Sequence, residues 1–188
     1  MISHSHKFIY VRMAKTGSTS FTQYLHNNVP DLKPVIPTTW KADVSHIPLW
    51  AMKQTLGNRV FKDYFKFTFV RNPWARCVSS YEYILKWNKE NNVALPESFV
   101  SFLNNIGVGK YGQQSDFGYG CDYFAKLENL SDDLDFLCEK LKLPRYKLPH
   151  RNKTNHKHYT EYYDEETKAI VDEMYAKDIE QFEYKFGE

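Results

Sequence analysis

Cysteine is scarce: Cys77, Cys121 and Cys138 are the only three in 188 residues, an odd number with no C-x-x-C pair. That speaks against a disulfide framework and a zinc site, and it fits a reducing compartment. No apolar run reaches the roughly 18 residues needed to span a bilayer. The opening Met1-Ile-Ser-His-Ser-His has no apolar signal region. Charge of one sign is missing too. Lys and Arg number 25 against 23 Asp and Glu, so the net charge is +2, too little for the basic field of a nucleic-acid binder. Basic residues do cluster locally, from Lys142 to Lys157. There is no repeat and no low-complexity linker, so residues 1–188 read as one domain, long enough for a sizeable core. What stands out is aromatic content, with 14 Tyr and 13 Phe; most belong in a core, and some could stack on a base or a sugar.

Residues 7–13, Lys-Phe-Ile-Tyr-Val-Arg-Met, read as a strand, and Ala14-Lys15-Thr16-Gly17-Ser18-Thr19-Ser20 follows at once. Phe21, Tyr24 and Leu25 then recur at helical spacing. A Gly- and hydroxyl-rich turn feeding a helix start suits an anion, because the first N–H groups of a helix lack internal partners and the dipole favours negative charge. Lys15 adds a point charge, and Ser18, Thr19 and Ser20 add hydroxyl donors. The spacing is not that of a Walker A loop, which places a glycine upstream and the lysine directly after a second glycine. An ordinary strand–turn–helix with a surface lysine has the same local signature.

A second strand, Phe65 to Arg71, leads into Asn72-Pro73-Trp74. Asn72 predicts a cap and Pro73 a first turn for a helix running to about Trp87. Arg71 then sits at the carboxyl end of a strand, where ligands collect in open α/β sheets. Arg76 and Ser79 are one helical turn apart. Arg71 with the Ser79 hydroxyl makes a second anion site, suited to a phosphate; the alternative is a capped helix with solvated arginines. Two such sites point to a ligand with two separated anionic groups.

These residues carry a resemblance. Lys15-Thr16-Gly17-Ser18-Thr19 resembles the 5′-phosphosulfate loop of sulfotransferases that use PAPS (3′-phosphoadenosine-5′-phosphosulfate). Phe69-Val70-Arg71-Asn72-Pro73, with Arg76, Ser79 and Tyr81, is similar to their 3′-phosphate site. The variant is most like the carbohydrate-type branch, the chondroitin and heparan 2-O group and its bacterial relatives. Leu127-Glu128-Asn129-Leu130, Leu148-Pro149-His150-Arg151-Asn152-Lys153-Thr154 and the ending Tyr175…Asp178-Ile179-Glu180…Phe182…Tyr184…Phe186 extend the likeness over residues 7 to 186. It implies a P-loop-like three-layer α/β domain with a central, mostly parallel sheet flanked by helices. It also implies PAPS as donor, PAP (the desulfonated nucleotide) as product and no required metal. Lys15 to Ser20, Arg71 and Ser79 would hold the nucleotide, with Arg151, Lys153 and Thr154 as a lid. The membrane anchor and cysteine pairs of the animal members are not evident, which implies a cytoplasmic enzyme of a bacterium or of a virus of bacteria. Ala75 stands where an acidic residue is common, which puts Arg76 in doubt as a ligand contact.

Sulfuryl transfer asks for in-line positioning and for cations and dipoles at the leaving oxygen, the place of Lys15 and the loop N–H groups. The acceptor hydroxyl needs a base. By resemblance that is His46, at an expected helix start that would keep the imidazole neutral; Glu128 is the alternative. The expected acceptor is a carbohydrate, with saccharide, lipid headgroup and small metabolite all open. A P-loop-type nucleotide kinase and a non-catalytic binder of nucleotide or anionic sugar are the rival readings. His4 and His6 are expected at a frayed terminus, His26 at the end of the first helix, and His150, His156 and His158 in a solvated basic stretch.

The remaining pattern predicts a loop over 27–44 and a helix capped by Ser45 from His46 or Ile47 to Leu56, with Gly57 as its stop. It also predicts a helix from Pro96 to about Asn105 and an irregular loop from Gly107 to Gly120. A strand over Tyr123–Leu127, a helix from Ser131 through Lys142 and a last helix capped by Asp164 complete an alternating α/β order.

Overall fold

The four residues of the strand Phe8–Val11 are all buried. Phe8 and Tyr10 join one apolar cluster, Ile9 and Val11 another. A strand apolar on both faces is one covered by helices on both sides. The computed structural model describes residues 1–38, 40, 45–106, 112–145 and 157–188. Their strands are β1 (Ile2–Ser3), β2 (Phe8–Val11), β3 (Phe65–Val70) and β4 (Tyr123–Lys126). Their helices are α1 (Ser18–Asn28), α2 (Leu49–Asp63), α3 (Pro73–Glu90), α4 (Phe99–Ile106), α5 (Gln114–Phe117), α6 (Leu130–Leu141), α7 (Glu165–Met174) and α8 (Ala176–Gln181). The chain forms two compact units, one from the described parts of Met1–Val70 and Asp116–Asn152, the other from those of Arg71–Ser115 and Lys153–Glu188.

The first unit holds the sheet, in the order β1-β2-β3-β4. β1 is antiparallel to β2; β2, β3 and β4 are parallel, with Val11 opposite Thr68 and Val70 opposite Lys126. On one face, Phe21, Tyr24 and Leu25 of α1 and Leu134, Leu137 and Leu141 of α6 cover Phe8, Tyr10, Phe67 and Phe69. The Tyr10 and Phe67 rings stack 5.1 Å apart, so much of the aromatic content is core. Leu49, Ala51 and Met52 of α2 cover Ile9 and Val11 on the other face. This is the expected mixed α/β arrangement, a mostly parallel sheet between helical layers.

The N-terminus is not frayed. Met1 and Ile2 are buried, β1 pairs with β2, and Asp31 accepts from the Ser3 hydroxyl at 2.7 Å and the His4 N–H at 2.7 Å. His4 bonds the Tyr64 hydroxyl and His6 the Leu141 carbonyl. Nor does α2 start at His46. Pro48 is its N-cap and Leu49 its first residue, because a residue preceding proline is driven out of the α region, which bars Ile47. Gly57, at φ 73°, breaks the helix as expected, but helical geometry resumes beyond it to Asp63.

Other boundaries shift with their caps. Ser98 accepts from the Ser101 N–H, so α4 starts at Phe99 rather than Pro96. The glycine-rich span contains α5, one helical turn; residues 107–111 lie outside the described ones. A 3-10 turn, Leu127–Asn129, leads into α6, which Asn129 rather than Ser131 precedes. Asp133 turns back to accept from the Lys126 N–H at 2.6 Å. In the second unit Asn72 caps α3 by accepting from the Ala75 N–H at 3.1 Å. Asp164 caps α7 through a reciprocal pair with Thr167. Trp74, Tyr159 and Tyr163 pack edge-on around Phe186 there. No helix of the described residues is long and apolar enough to cross a membrane.

Candidate active site

The parallel register makes β2, β3 and β4 end at one edge of the sheet, and the segments that begin with Arg12, Arg71 and Leu127 continue from those ends. After β2, Lys15 has φ 66° and Gly17 φ 74°, with Thr16 between them outside the left-handed region. Alternation of this kind turns successive N–H groups into one concavity, the geometry of an anion nest. A lysine at positive φ carries steric strain that glycine would not; such outliers concentrate where a ligand is held. Gly17 is the N-cap of α1, no side chain caps that end, and the first turn carries no acid. Its first N–H groups have no side-chain cap, and they and the positive end of the dipole can receive water or an anion.

Gly17 is required twice over. Its φ disfavours a side chain, and a Cβ there would lie 3.1 Å from Leu127 Cδ1. Leu127 follows β4, so the segment after the last strand braces the loop, with Glu128 exposed beside it. Thr16 is buried and its hydroxyl donates to the Met13 carbonyl at 3.1 Å, closing the turn on itself. Ser18 is buried; Thr19 is exposed and Ser20 half-buried.

His46 is half-buried and its Nδ1 is 3.2 Å from the carbonyl of Arg12, three residues before Lys15. A carbonyl can only accept, so Nδ1 carries a hydrogen, and in a neutral ring held this way Nε2 is the nitrogen without one. The imidazole is thus placed by the end of β2 and not by a helix start, which lies beyond it at Leu49.

Arg12 itself was not singled out by the sequence reading. Its Nε is buried with no hydrogen-bond partner among the described residues. The signal was the one that marked Arg71, an arginine at a strand's carboxyl end.

In the second unit Arg71 is half-buried, and its main chain is held on both sides. Its N–H donates to Gln114 Oε1 at 2.9 Å, and Gln114 Nε2 donates to its carbonyl at 2.8 Å. Ser79 is half-buried on α3. Arg76, one turn before it, is 3% exposed; Nη1 donates to the Gly112 carbonyl at 3.0 Å and the guanidinium lies over the Tyr175 ring at 5.8 Å. These contacts tie Arg76 to the Gly112 backbone and the Tyr175 ring. Burial pushes the Cys77 thiol up to about 12 and also raises Cys121, so neither is a poised nucleophile. Arg151, Lys153 and Thr154, with His150, Asn152 and His156, lie outside the described residues.

The family model described as "Sulfotransferase family" matches residues 1–185. A protein of Archaeoglobus fulgidus described as uncharacterized is 30% identical over 102 residues, which is 52% of this chain and 84% of that one. Among solved structures, mouse sulfotransferase SULT7A1 complexed with PAP superposes with a TM-score of 0.63 at 14% identity, covering 94% of this chain and 86% of the other. A sulfotransferase from Alicyclobacillus acidocaldarius gives 0.43 at 17% identity, covering 93% of each chain.

Proposed function

The chain belongs to the sulfotransferase family, and from that premise we propose that it transfers the sulfuryl group of PAPS to a hydroxyl, with a carbohydrate as acceptor. The observation that carries the reading is the α1 start, where positive φ at Lys15 and Gly17 precedes an uncapped, acid-free helix end. The donor set fits a phosphosulfate: main-chain N–H groups, hydroxyls and a lysine, with a glycine whose missing Cβ keeps the turn open. PAPS supplies an activated sulfuryl group on a good leaving phosphate.

The loop of residues 15–20 holds the 5′ end by its N–H groups, and the Lys15 ammonium stabilises charge gathering at the leaving oxygen. Arg71 and Ser79 bind the 3′-phosphate and set the register of the nucleotide. Arg151, Lys153 and Thr154 complete the nucleotide site. His46 Nε2 takes the proton of the attacking hydroxyl, and the Arg12 carbonyl fixes the tautomer that makes this possible. The Trp50 ring, 54% exposed and four residues after His46, lies 5.9 Å from the Trp40 ring. Such faces suit the apolar side of a sugar. The three thiols suit a reducing, cytoplasmic setting, and residues 1–188 act as one sulfotransferase domain.

Calorimetric titration with PAP tests the reading. Lys15→Ala and Arg71→Ala should each weaken binding by at least about tenfold. His46→Ala should keep PAP affinity and lose turnover with PAPS and a saccharide acceptor. Wild-type protein that does not bind PAP would end the proposal; binding without turnover on any hydroxyl acceptor would leave a binding protein.

A further inference from the structure

Arg71 directly follows β3, and its backbone is not left to solvent. The Gln114 side-chain amide bonds it in both directions, at 2.9 and 2.8 Å. This is the two-bond pattern a neighbouring strand would supply, continued for one residue beyond the last strand position. Gln114 is fully buried, and its own freedom is removed by Asp178 of α8. Asp178 Oδ2 accepts from the Gln114 N–H at 2.7 Å and from Nε2 at 3.2 Å; Oδ1 accepts from the Ser115 N–H and hydroxyl, each at 2.8 Å. The Asp178 N–H in turn donates to Gln113 Oε1 at 3.2 Å.

Both Nε2 hydrogens, the Oε1 and the main-chain N–H of Gln114 are therefore committed. Asp178 is fully buried as well. Taking a carboxylate out of water is costly even when it is well bonded, and water could satisfy the backbone of a half-exposed residue without that cost. What the buried chain adds over water is a fixed main-chain geometry at Arg71.

We propose that Gln114 and Asp178 are positioning residues that lock the Arg71 backbone so that its guanidinium is pre-set for the 3′-phosphate of the nucleotide; this rests on the reading of Arg71 as that phosphate's ligand. A pre-set arginine binds without first losing the freedom of its own backbone, so releasing the clamp weakens the contact while leaving both partners present.

The test compares PAP with adenosine 5′-monophosphate, which lacks the 3′-phosphate, by calorimetry on the full chain. Wild-type protein should prefer PAP by on the order of 10- to 100-fold. Gln114→Met, close in volume but unable to bond, should lower that preference by about tenfold with the monophosphate affinity unchanged. Asp178→Asn, which puts an amide donor against donors, should lower it in the same way. In an Arg71→Ala background neither change should alter PAP affinity further.

Equal loss of both nucleotides in Gln114→Met would make the clamp a general structural element and overturn the proposal. So would an unchanged preference, or failure of both single variants to fold. A wild-type protein with no preference for PAP, or an Arg71→Ala variant that keeps it, would instead overturn the 3′-phosphate reading on which the proposal stands.

Discussion

Helices α1 and α7 begin in opposite ways. The start of α7 is chemically complete: Asp164 accepts from the Thr167 N–H at 2.8 Å, the Thr167 hydroxyl accepts in return from the Asp164 N–H, and Glu165 and Glu166 face the dipole. The start of α1 has a glycine cap with no side-chain bond and no acid in its first turn. Helices α2 and α4 also lack early acids, but α2 opens on Pro48 and α4 on Ser98, without a left-handed lysine–glycine turn. The contrast separates a helix end that supplies its own anion from one that does not, which is the end proposed above to take the nucleotide.

The largest effect should come from removing the cation at the open end. Lys15→Ala should lower kcat for sulfuryl transfer by about 10²- to 10³-fold with little change in Tm. A rate near wild type would show that the open end does not serve catalysis.

Next is the glycine. Gly17→Ala combines a left-handed φ with a 3.1 Å approach to Leu127. It should cost about 1–2 kcal/mol of stability and weaken PAP binding, read by thermal melting and titration together. Wild-type behaviour in both would mean that the turn tolerates a side chain and is no cradle.

A smaller effect sharpens the comparison by making α1 resemble α7. Thr19 is exposed in the first turn. Thr19→Asp should weaken PAP binding about tenfold, yet stabilise the helix by about 0.3–1 kcal/mol, with Thr19→Asn as the uncharged control. Equal affinities for the two variants would break the dipole argument.

The smallest effect belongs to the closed end. Asp164→Ala should lower Tm by a few degrees without touching PAP affinity. Bonds from the Thr167 hydroxyl and N–H hold the Asp164 carboxyl below the usual carboxylate range. Its stabilisation is therefore complete above about pH 4 and is lost as pH falls through the lowered value. The Tm gap between wild type and variant should be constant near neutrality and close in acid. A gap that widens in acid would contradict the assignment.

Much of this was legible in sequence because it is local. Asn72-Pro73 and Asp164 announce their helices through cap chemistry, and the apolar run from Phe8 to Val11 announces a strand. Lys15 to Ser20 announces a turn that a helix dipole can use. Other elements were read wrongly where a neighbour in space outweighed local preference. The N-terminal residues look like a tail until Asp31 and β2 bind them. Gly107 to Gly120 looks irregular until Asp178 orders Gln113 to Ser115. The α2 start was readable in principle, since Pro48 forbids a helical Ile47.

By itself the sequence determined the alternation of strand, turn and helix, the two cation-bearing strand ends and the Gly- and hydroxyl-rich turn before α1, since each depends on residues within a few positions. Only the tertiary structure decided that His46 is set by the Arg12 carbonyl 34 residues away, that Arg76 is internal, and that Gln114 joins Arg71 and Asp178 across 43 and 64 residues. Those contacts form only when distant segments are brought together by the burial of their apolar faces, and no local pattern encodes which backbone group a side-chain amide or imidazole will then meet.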